Sequence, residues 1–163
     1  MSVFNDIVEQ IKSSLSRCAT LTDVKFIDAD REEVVPNPIR NTYVSLGINS
    51  VSISEGAFGS YLGLSRVGEQ YGNNSEIDIE MKIFSPRHSG GKQCYEVFSR
   101  IYEELLYHAA NYNFKGVACK KARYNDELFS FELECHLRLS AYLGYETEDI
   151  NISSIQIEKT MKG

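Results

Sequence analysis

The residues best placed to do chemistry stand at alternating positions late in the chain: Glu132, Glu134 and His136. Residues two apart on a β-strand point to the same face, so these three side chains would lie together on an extended segment. Paired carboxylates can act as general acid and base, or bind a cation. Solvated or interfacial charge is the commoner role of such residues on a sheet face, and we favour that interpretation.

One cysteine stands where a nucleophile could be activated. Cys94 lies near the start of a predicted helix, where a thiolate would be stabilised. It also shares a helical stripe with Phe98 and Ile101, which predicts that it belongs to the core instead. The cysteines form no CxxC pair and no zinc-ligand spacing, so we expect reduced thiols packed as small hydrophobic residues: Cys18, Cys94, Cys119 and Cys135.

The remaining motifs are weaker. The three histidines, His88, His108 and His136, form neither an HxxxH nor an HExxH pattern. The turn 89–92 (Ser-Gly-Gly-Lys) precedes a predicted helix, as phosphate-binding loops do, but it lacks the full GxxxxGK(S/T) pattern. The sequence therefore predicts no catalytic residue, no cofactor and no metal site, and a protein that is not an enzyme.

The bulk composition fits one globular domain. The chain has 163 residues, of which 42% are hydrophobic and 25% charged, and such a chain can form a core without a disulfide or a metal. The net charge of −6 argues against nucleic-acid binding, which needs clustered lysine and arginine. No run of about 18 apolar residues is present and the first residues lack a secretory signal, so we expect a cytoplasmic protein outside the membrane.

Hydrophobic periodicity predicts two amphipathic helices and several two-faced strands. Helical stripes place the first helix at 3–17 and the second from 91 to 110. Strands are predicted at 24–28, 43–48, 77–83, 117–124 and 129–140, with a turn at 125–127, and a continuation of the second strand to 53 is left open. The tail 151–161 is either a last strand or a mobile arm.

The strongest signal is the strand from Phe129 to Ser140. Its apolar residues alternate with polar ones over six pairs. A slip of one residue would place every apolar side chain in water, so the pairing register is strongly specified. The same alternation in 77–83 places Asp78, Glu80 and Lys82 on a wet face.

The simplest fold that buries the apolar face of each of these elements is an α+β fold. It is a two-layer sandwich with both amphipathic helices packed on one mainly antiparallel sheet. We expect a single domain over 1–145 and a C-terminal extension or arm at 146–163. The sheet face opposite the helices is a candidate channel lining or interface, and it carries Asp78, Glu80, Glu132, Glu134 and Arg138.

The segment 54–75 differs in composition from its surroundings. Five of its residues are glycine, which favours a flexible loop. A loose hairpin that covers the domain's own core is the alternative. As a loop, the segment would offer apolar side chains to a partner or a neighbouring subunit, the candidates being Phe58, Tyr61, Leu62 and Leu64.

The order of the elements resembles that of a known family. An amphipathic helix from Phe4 to Leu15, a strand and a proline-containing link lead into alternating strands. A helix that begins Gly-Gly-Lys-x-Cys-x-x-x-Phe-x-x-Ile (Gly90 to Ile101) and a long closing strand follow. Over residues 1–145 this layout is similar to the tail-terminator or tail-completion proteins of tailed phages and phage-derived contractile particles.

The resemblance implies a structural role. Such proteins form a ring, usually hexameric, that ends the growth of a tail tube and offers a docking surface to the head or neck. The implied partners are further copies of the chain, the tail tube protein and the neck or head-completion protein, with the sheath as a further candidate. DNA would pass through without specific binding, repelled by an acidic channel face. The implied location is the cytoplasm of the bacterial host during assembly, and then the particle.

Two other functions stay open on the sequence. One is an adaptor, or another interaction module, of a different large assembly. The other is a small enzyme that uses Cys94 or the cluster of Glu132, Glu134 and His136.

Overall fold

The computed structural model describes residues 3–30, 40–54, 57–64, 69–107, 113–146 and 156–158. Within these residues the chain forms two α-helices, α1 (Val3–Ser16) and α2 (Gly90–Tyr107). The strands are β1 (Val24–Asp28), β2 (Thr42–Ser54), β3 (Ala57–Leu64), β4 (Glu69–Pro86), β5 (Asn113–Cys119), β6 (Arg123–Asn125), β7 (Ser130–Glu146) and β8 (Gln156–Glu158).

All the described strands belong to one sheet. Its main path is β1-β2-β4-β7-β5, with β3 paired to β4 and both β6 and β8 paired to β7. The β1–β2 pair is parallel, and the other described pairs are antiparallel. With two helices packed on this mainly antiparallel sheet, the fold is the α+β sandwich that the sequence predicted.

The hydrophobic core lies between the helices and one face of the sheet. Each helix buries one apolar stripe, as its 3.6-residue periodicity predicted. The stripes meet the apolar positions of β2, β4 and β7, which alternate with polar ones. The largest fully buried side chains are Ile11, Leu15, Leu21, Leu46, Ile77, Ile79, Met81, Ile83, Ile101, Leu133, Leu137 and Leu139.

The start of β7 departs from the predicted alternation. Phe129 lies in the turn before the strand, with φ of 48° and 49% of its surface exposed. The prediction that it belongs to the core face was wrong. The side chain of Asn125 accepts hydrogen bonds from the amides of Glu127 (3.0 Å) and Leu128 (3.2 Å), and the tight turn places the next residue in the left-handed region.

Several boundaries also differ from the prediction. β4 has 18 residues and β7 has 17, and they pair from Gln70 and Glu146 to Pro86 and Ser130. In the segment 54–75, the backbone follows the hairpin alternative, since β3 pairs with the first part of β4. The predicted strand 117–124 is divided into β5 and β6. Part of the tail forms β8, which pairs with β7.

The sheet is longer than the helices that cover it. Eighteen residues of β4 span about 60 Å, whereas the 18 residues of α2 span about 27 Å. α2 starts over the Pro86 end of the sheet, where Sγ of Cys94 lies 3.6 Å from the carbonyl oxygen of Ile83. The opposite end extends past the helices, and we call it the distal arm: β3 together with residues 50–54, 69–74 and 142–146.

Candidate interface on the polar face of the sheet

Polar side chains of β4 and β7 line the sheet face opposite the helices. The strand register sets Asp78 opposite Arg138 and Lys82 opposite Glu134, and residues directly opposite each other share a face. The structure therefore brings together the face residues that the sequence singled out. This surface, which we call the polar face, contains Asp78, Glu80, Lys82, Glu132, Glu134, His136 and Arg138.

His136 is held between two carboxylates. Its Nδ1 lies 3.2 Å from each carboxylate oxygen of Asp78, and its Nε2 lies 2.9 Å from Oε1 of Glu134. The side-chain amide of Asn49 donates to Oδ2 of Asp78 (2.8 Å), and Nζ of Lys120 lies 3.0 Å from Oε1 of Glu134. An imidazole donates from both nitrogens only when it is doubly protonated, so this arrangement suits the imidazolium.

The pKa values of this cluster shift in the matching directions. The hydrogen bond to Glu134 raises the pKa of His136, and Asp78 adds to the rise, while partial burial opposes it. The hydrogen bonds from His136 and Lys120 lower the pKa of Glu134. The cluster is therefore a chain in which His136 lies between the carboxylates of Asp78 and Glu134, an arrangement that favours the protonated imidazole.

Lys82 joins two further carboxylates. Its Nζ lies 3.2 Å from Oε1 of Glu80 and 3.8 Å from Oε1 of Glu132. Glu132 also accepts a hydrogen bond from the side-chain amide of Asn125 (3.1 Å). Burial lowers the pKa of Lys82, but the hydrogen bond and charge of Glu80 outweigh it, so the pKa is raised.

Arg138 completes the charge balance of the polar face. Its side chain is exposed and covers the backbone of Gly116 on β5, where a side chain would meet Nη2 at 3.1 Å. The four carboxylates of the face are matched by three permanent cations and by the His136 imidazolium: Asp78, Glu80, Glu132 and Glu134 against Lys82, Lys120, Arg138 and His136. The surface is thus close to neutral, and the strong repulsion of DNA expected from the carboxylates alone is largely cancelled.

A shallow groove adjoins the polar face where β6 pairs with β7. It has a volume of about 210 Å³ and is lined by Lys120, Lys121, Arg123, Tyr124, Asn125, Glu132 and Glu134. Both of its carboxylates already have partners, Asn125 for Glu132 and Lys120 for Glu134. The groove therefore offers charge and shape to a partner rather than a carboxylate poised for proton transfer.

Cys94 lies on the other side of the sheet from this face. It is fully buried, which confirms its predicted place in the core, and its thiol donates to the hydroxyl of Ser85 (3.2 Å). Burial raises the pKa of Cys94, whereas an activated nucleophile needs a lowered one. The structure does not bring Cys94 together with Glu134 and His136.

For the predicted partner-contact residues, the structure describes the backbone and not the side chains. Phe58, Tyr61, Leu62 and Leu64 lie on β3, but their side chains fall outside the described part of the chain. Among the described residues, no group of histidine, cysteine and carboxylate side chains is arranged to hold a metal ion. A search of the described residues finds no helix with the length and apolarity needed to cross a membrane.

The contacts that Asn49 and Lys120 make with the polar face were not predicted from the sequence. Asn49 reaches Asp78 from β2, beside an irregularity in the β2–β4 register. Lys120 follows β5 and pairs with Glu134. No local signal reveals either contact, because both depend on which distant strands become neighbours.

Replacing His136 by glutamine is expected to destabilise the protein more near pH 6 than near pH 9. A raised folded-state pKa contributes stability that is fully present below the unfolded value of about 6.5 and is lost as pH rises through the folded pKa. Because the face is partly exposed, the difference should stay below about 1 kcal/mol. Urea unfolding of both proteins at the two pH values measures it.

Lys120→Gln is the matched control for the histidine variant, because it removes the other cationic partner of Glu134 and leaves the imidazole in place. Its effect should be the same at both pH values. An equal loss at both pH values for His136→Gln would show that the imidazole is not held as a cation.

A comparison with models of protein families finds no match, and a comparison with curated proteins finds no significant match. The fold and the polar face define the class of protein at the level of architecture. It is an α+β protein whose sheet is covered by helices on one face and carries paired charges on the other.

Proposed function

We propose that the protein is a structural assembly protein that caps the end of a phage or phage-like tail tube as a ring, ends the growth of the tube and offers a docking surface to the head or neck. The observation that carries this proposal is the distal arm, a stretch of sheet that extends past the helices of its own chain. The element order, which resembles that of tail-terminator proteins, supports it.

The distal arm is the part of the sheet that an adjacent copy of the chain would cover. β4 exceeds the length of α2 by about 30 Å, and residues 69–74 lie in that excess. At the base of the arm, Ile53 is 51% exposed, although a sheet of this kind ordinarily buries its isoleucines. Edge strands invite pairing with another chain. Coverage by an adjacent copy would bury the arm and link the copies into a ring.

The polar face suits the inside of such a ring or a contact between its subunits. Two of the lysines at this surface are paired with carboxylates within the same chain, Lys82 with Glu80 and Lys120 with Glu134. Specific DNA binding requires cations that are free to replace counterions on phosphates. A balanced surface of this kind would let DNA pass without binding it.

A role in tail assembly implies particular partners and a particular location. The partners are further copies in a hexameric ring, the tail tube protein, the neck or head-completion protein and, as a further candidate, the sheath. The protein would act in the cytoplasm of the bacterial host during assembly and then remain in the particle. An adaptor of another large assembly is the alternative, since it would need a similar arm.

Reconstitution with the tube protein of the same particle tests the function. Sedimentation velocity of the protein alone and of the mixture should show a ring-sized species, and electron microscopy should show tubes that end in a ring and stay short. A stable monomer that leaves tube length unchanged would contradict the proposal. A ring that forms but neither binds the tubes nor changes their length would favour the adaptor.

A further inference from the structure

We propose that Cys119 and Cys135 form a reversible disulfide that fastens the edge strand β5 to β7. The two residues are direct partners in the antiparallel β5–β7 ladder. Both are free thiols in this structure, with Cys119 exposed and Cys135 buried. The cysteines were expected to be inert packing residues, and two of them instead stand opposite each other across a pair of strands.

The ladder places the two cysteines in the closer of the two kinds of cross-strand pair. The amide of Lys120 donates to the carbonyl of Glu134 (2.8 Å), so residues 120 and 134 form a hydrogen-bonded pair. Such pairs alternate along an antiparallel ladder, which makes the adjacent pair 119/135 non-hydrogen-bonded, with a Cα separation of about 4.5 Å. Disulfides span Cα separations of about 4.4–6.8 Å, so the bond can close without moving either strand.

The two thiols differ in their access to solvent. Cys119 lies at the exposed end of β5, where an oxidant in solution can reach it. Burial, and next the neighbouring thiol of Cys119, raise the pKa of Cys135. Cys135 is therefore the slower partner, and Cys119 is the thiol that meets the oxidant first.

The reaction balances with a small-molecule disulfide, such as oxidised glutathione, as the oxidant. The Cys119 thiolate attacks one glutathione sulfur, which breaks the oxidant's S–S bond, forms a mixed disulfide and releases one glutathione thiolate. The Cys135 thiolate then attacks the Cys119 sulfur and releases the second glutathione thiolate. The two protein thiols lose two electrons and two protons, and oxidised glutathione gains them and becomes two molecules of reduced glutathione.

The bond would change the behaviour of the sheet edge. β5 ends the main path of the sheet, and edge strands open most readily. A link between β5 and the central strand β7 would close a loop of about 15 residues and raise the melting temperature by about 5–10 °C. The edge would then be held closed under oxidising conditions and free to open under reducing ones.

Thiol counting on the full chain tests the proposal. After incubation with oxidised glutathione, the thiols that can be alkylated under denaturing conditions should fall from the four of the reduced chain to two. The intact mass should fall by about 2 Da, and peptide mapping should join Cys119 to Cys135. Because the buried thiol must ionise, closure should be faster near pH 9 than near pH 7.

Two variants separate this pair from the other cysteines. Cys18→Ser should form the same disulfide, since Cys18 lies near α1 and contacts Thr20 and Glu104. Cys119→Ser, at an exposed site, should fold and lose no thiol to an internal disulfide. A glutathione adduct on Cys119 that never closes, a bond that maps to Cys94, or four thiols that stay free would each overturn the proposal.

Discussion

Replacing Leu137 by alanine is expected to lower the free energy of unfolding by about 3–4 kcal/mol. Leu137 is fully buried at the centre of the sheet, opposite Ile79 on β4 and Val117 on β5. Its neighbours on β4 and β5 are held in place by the pairing of each strand with β7, so they cannot collapse into the vacated space. Urea unfolding followed by circular dichroism measures the change.

Arg138→Ala is the matched control for this substitution. Arg138 is the next residue of β7, it points to the opposite face, and it is exposed. Its removal should change the free energy of unfolding by no more than about 0.5 kcal/mol. Similar losses for the two variants would mean that β7 does not hold the register described here, because a shift of one residue exchanges the two faces.

The contrast between these neighbours explains why the sequence predicts the centre of the fold well. From residue 131 to residue 139, each apolar side chain has only one face on which it can be buried, so the local pattern determines the register. The stripes of α1 and α2 are fixed in the same way by their spacing. These elements need no information from distant parts of the chain.

The predictions that failed, or were never made, concern structure that depends on distant residues. Residues 69–76 contain Gly, Asn, Ser and Gln, which have low β-propensity. They nevertheless extend β4, because β7 supplies ladder partners along one side, and β3 and the end of β2 supply them for parts of the other. Phe129 fits the alternation and still leaves the core, because the turn anchored by Asn125 sets its backbone.

The contacts of the polar face and the pairing of two cysteines also could not be predicted from the sequence, because they join residues that are distant in the chain. His136 lies 58 positions from Asp78 in the chain, and Cys119 meets Cys135 only through the ladder between β5 and β7. The sequence identified most of the polar face from alternation, but it could not show that each carboxylate has a partner. That pairing turns an apparent acidic patch into a balanced surface.

Deleting residues 57–72 is expected to abolish assembly and leave the core stable. The deletion removes β3 and the beginning of β4. Ser54 and Asn74 are partners in the β2–β4 ladder, so the shortened chain would join them through residues 55, 56 and 73. Three-residue connections that contain glycine close hairpins readily, and Gly56 supplies one here.

The measurable signature is a separation of stability from association. The free energy of unfolding should change by less than about 1 kcal/mol, because the buried leucines and isoleucines that the structure describes all lie outside the deletion. The end of β7 loses its partners at Gln70, Tyr71 and Gly72, so only local fraying is expected there. The sedimentation coefficient should fall from that of a ring to that of a monomer, with or without the tube protein.

Tyr102→Ser provides the control on the other layer of the sandwich. Tyr102 is 42% exposed on α2 and stacks on Phe98 with ring centroids 6.3 Å apart. If copies associate through the distal arm, this substitution should leave the ring intact. A ring that survives the deletion and is lost in Tyr102→Ser would show that the copies associate through the helical layer instead. A deletion variant that unfolds as the wild-type protein does and still assembles would show that the arm is not needed for assembly.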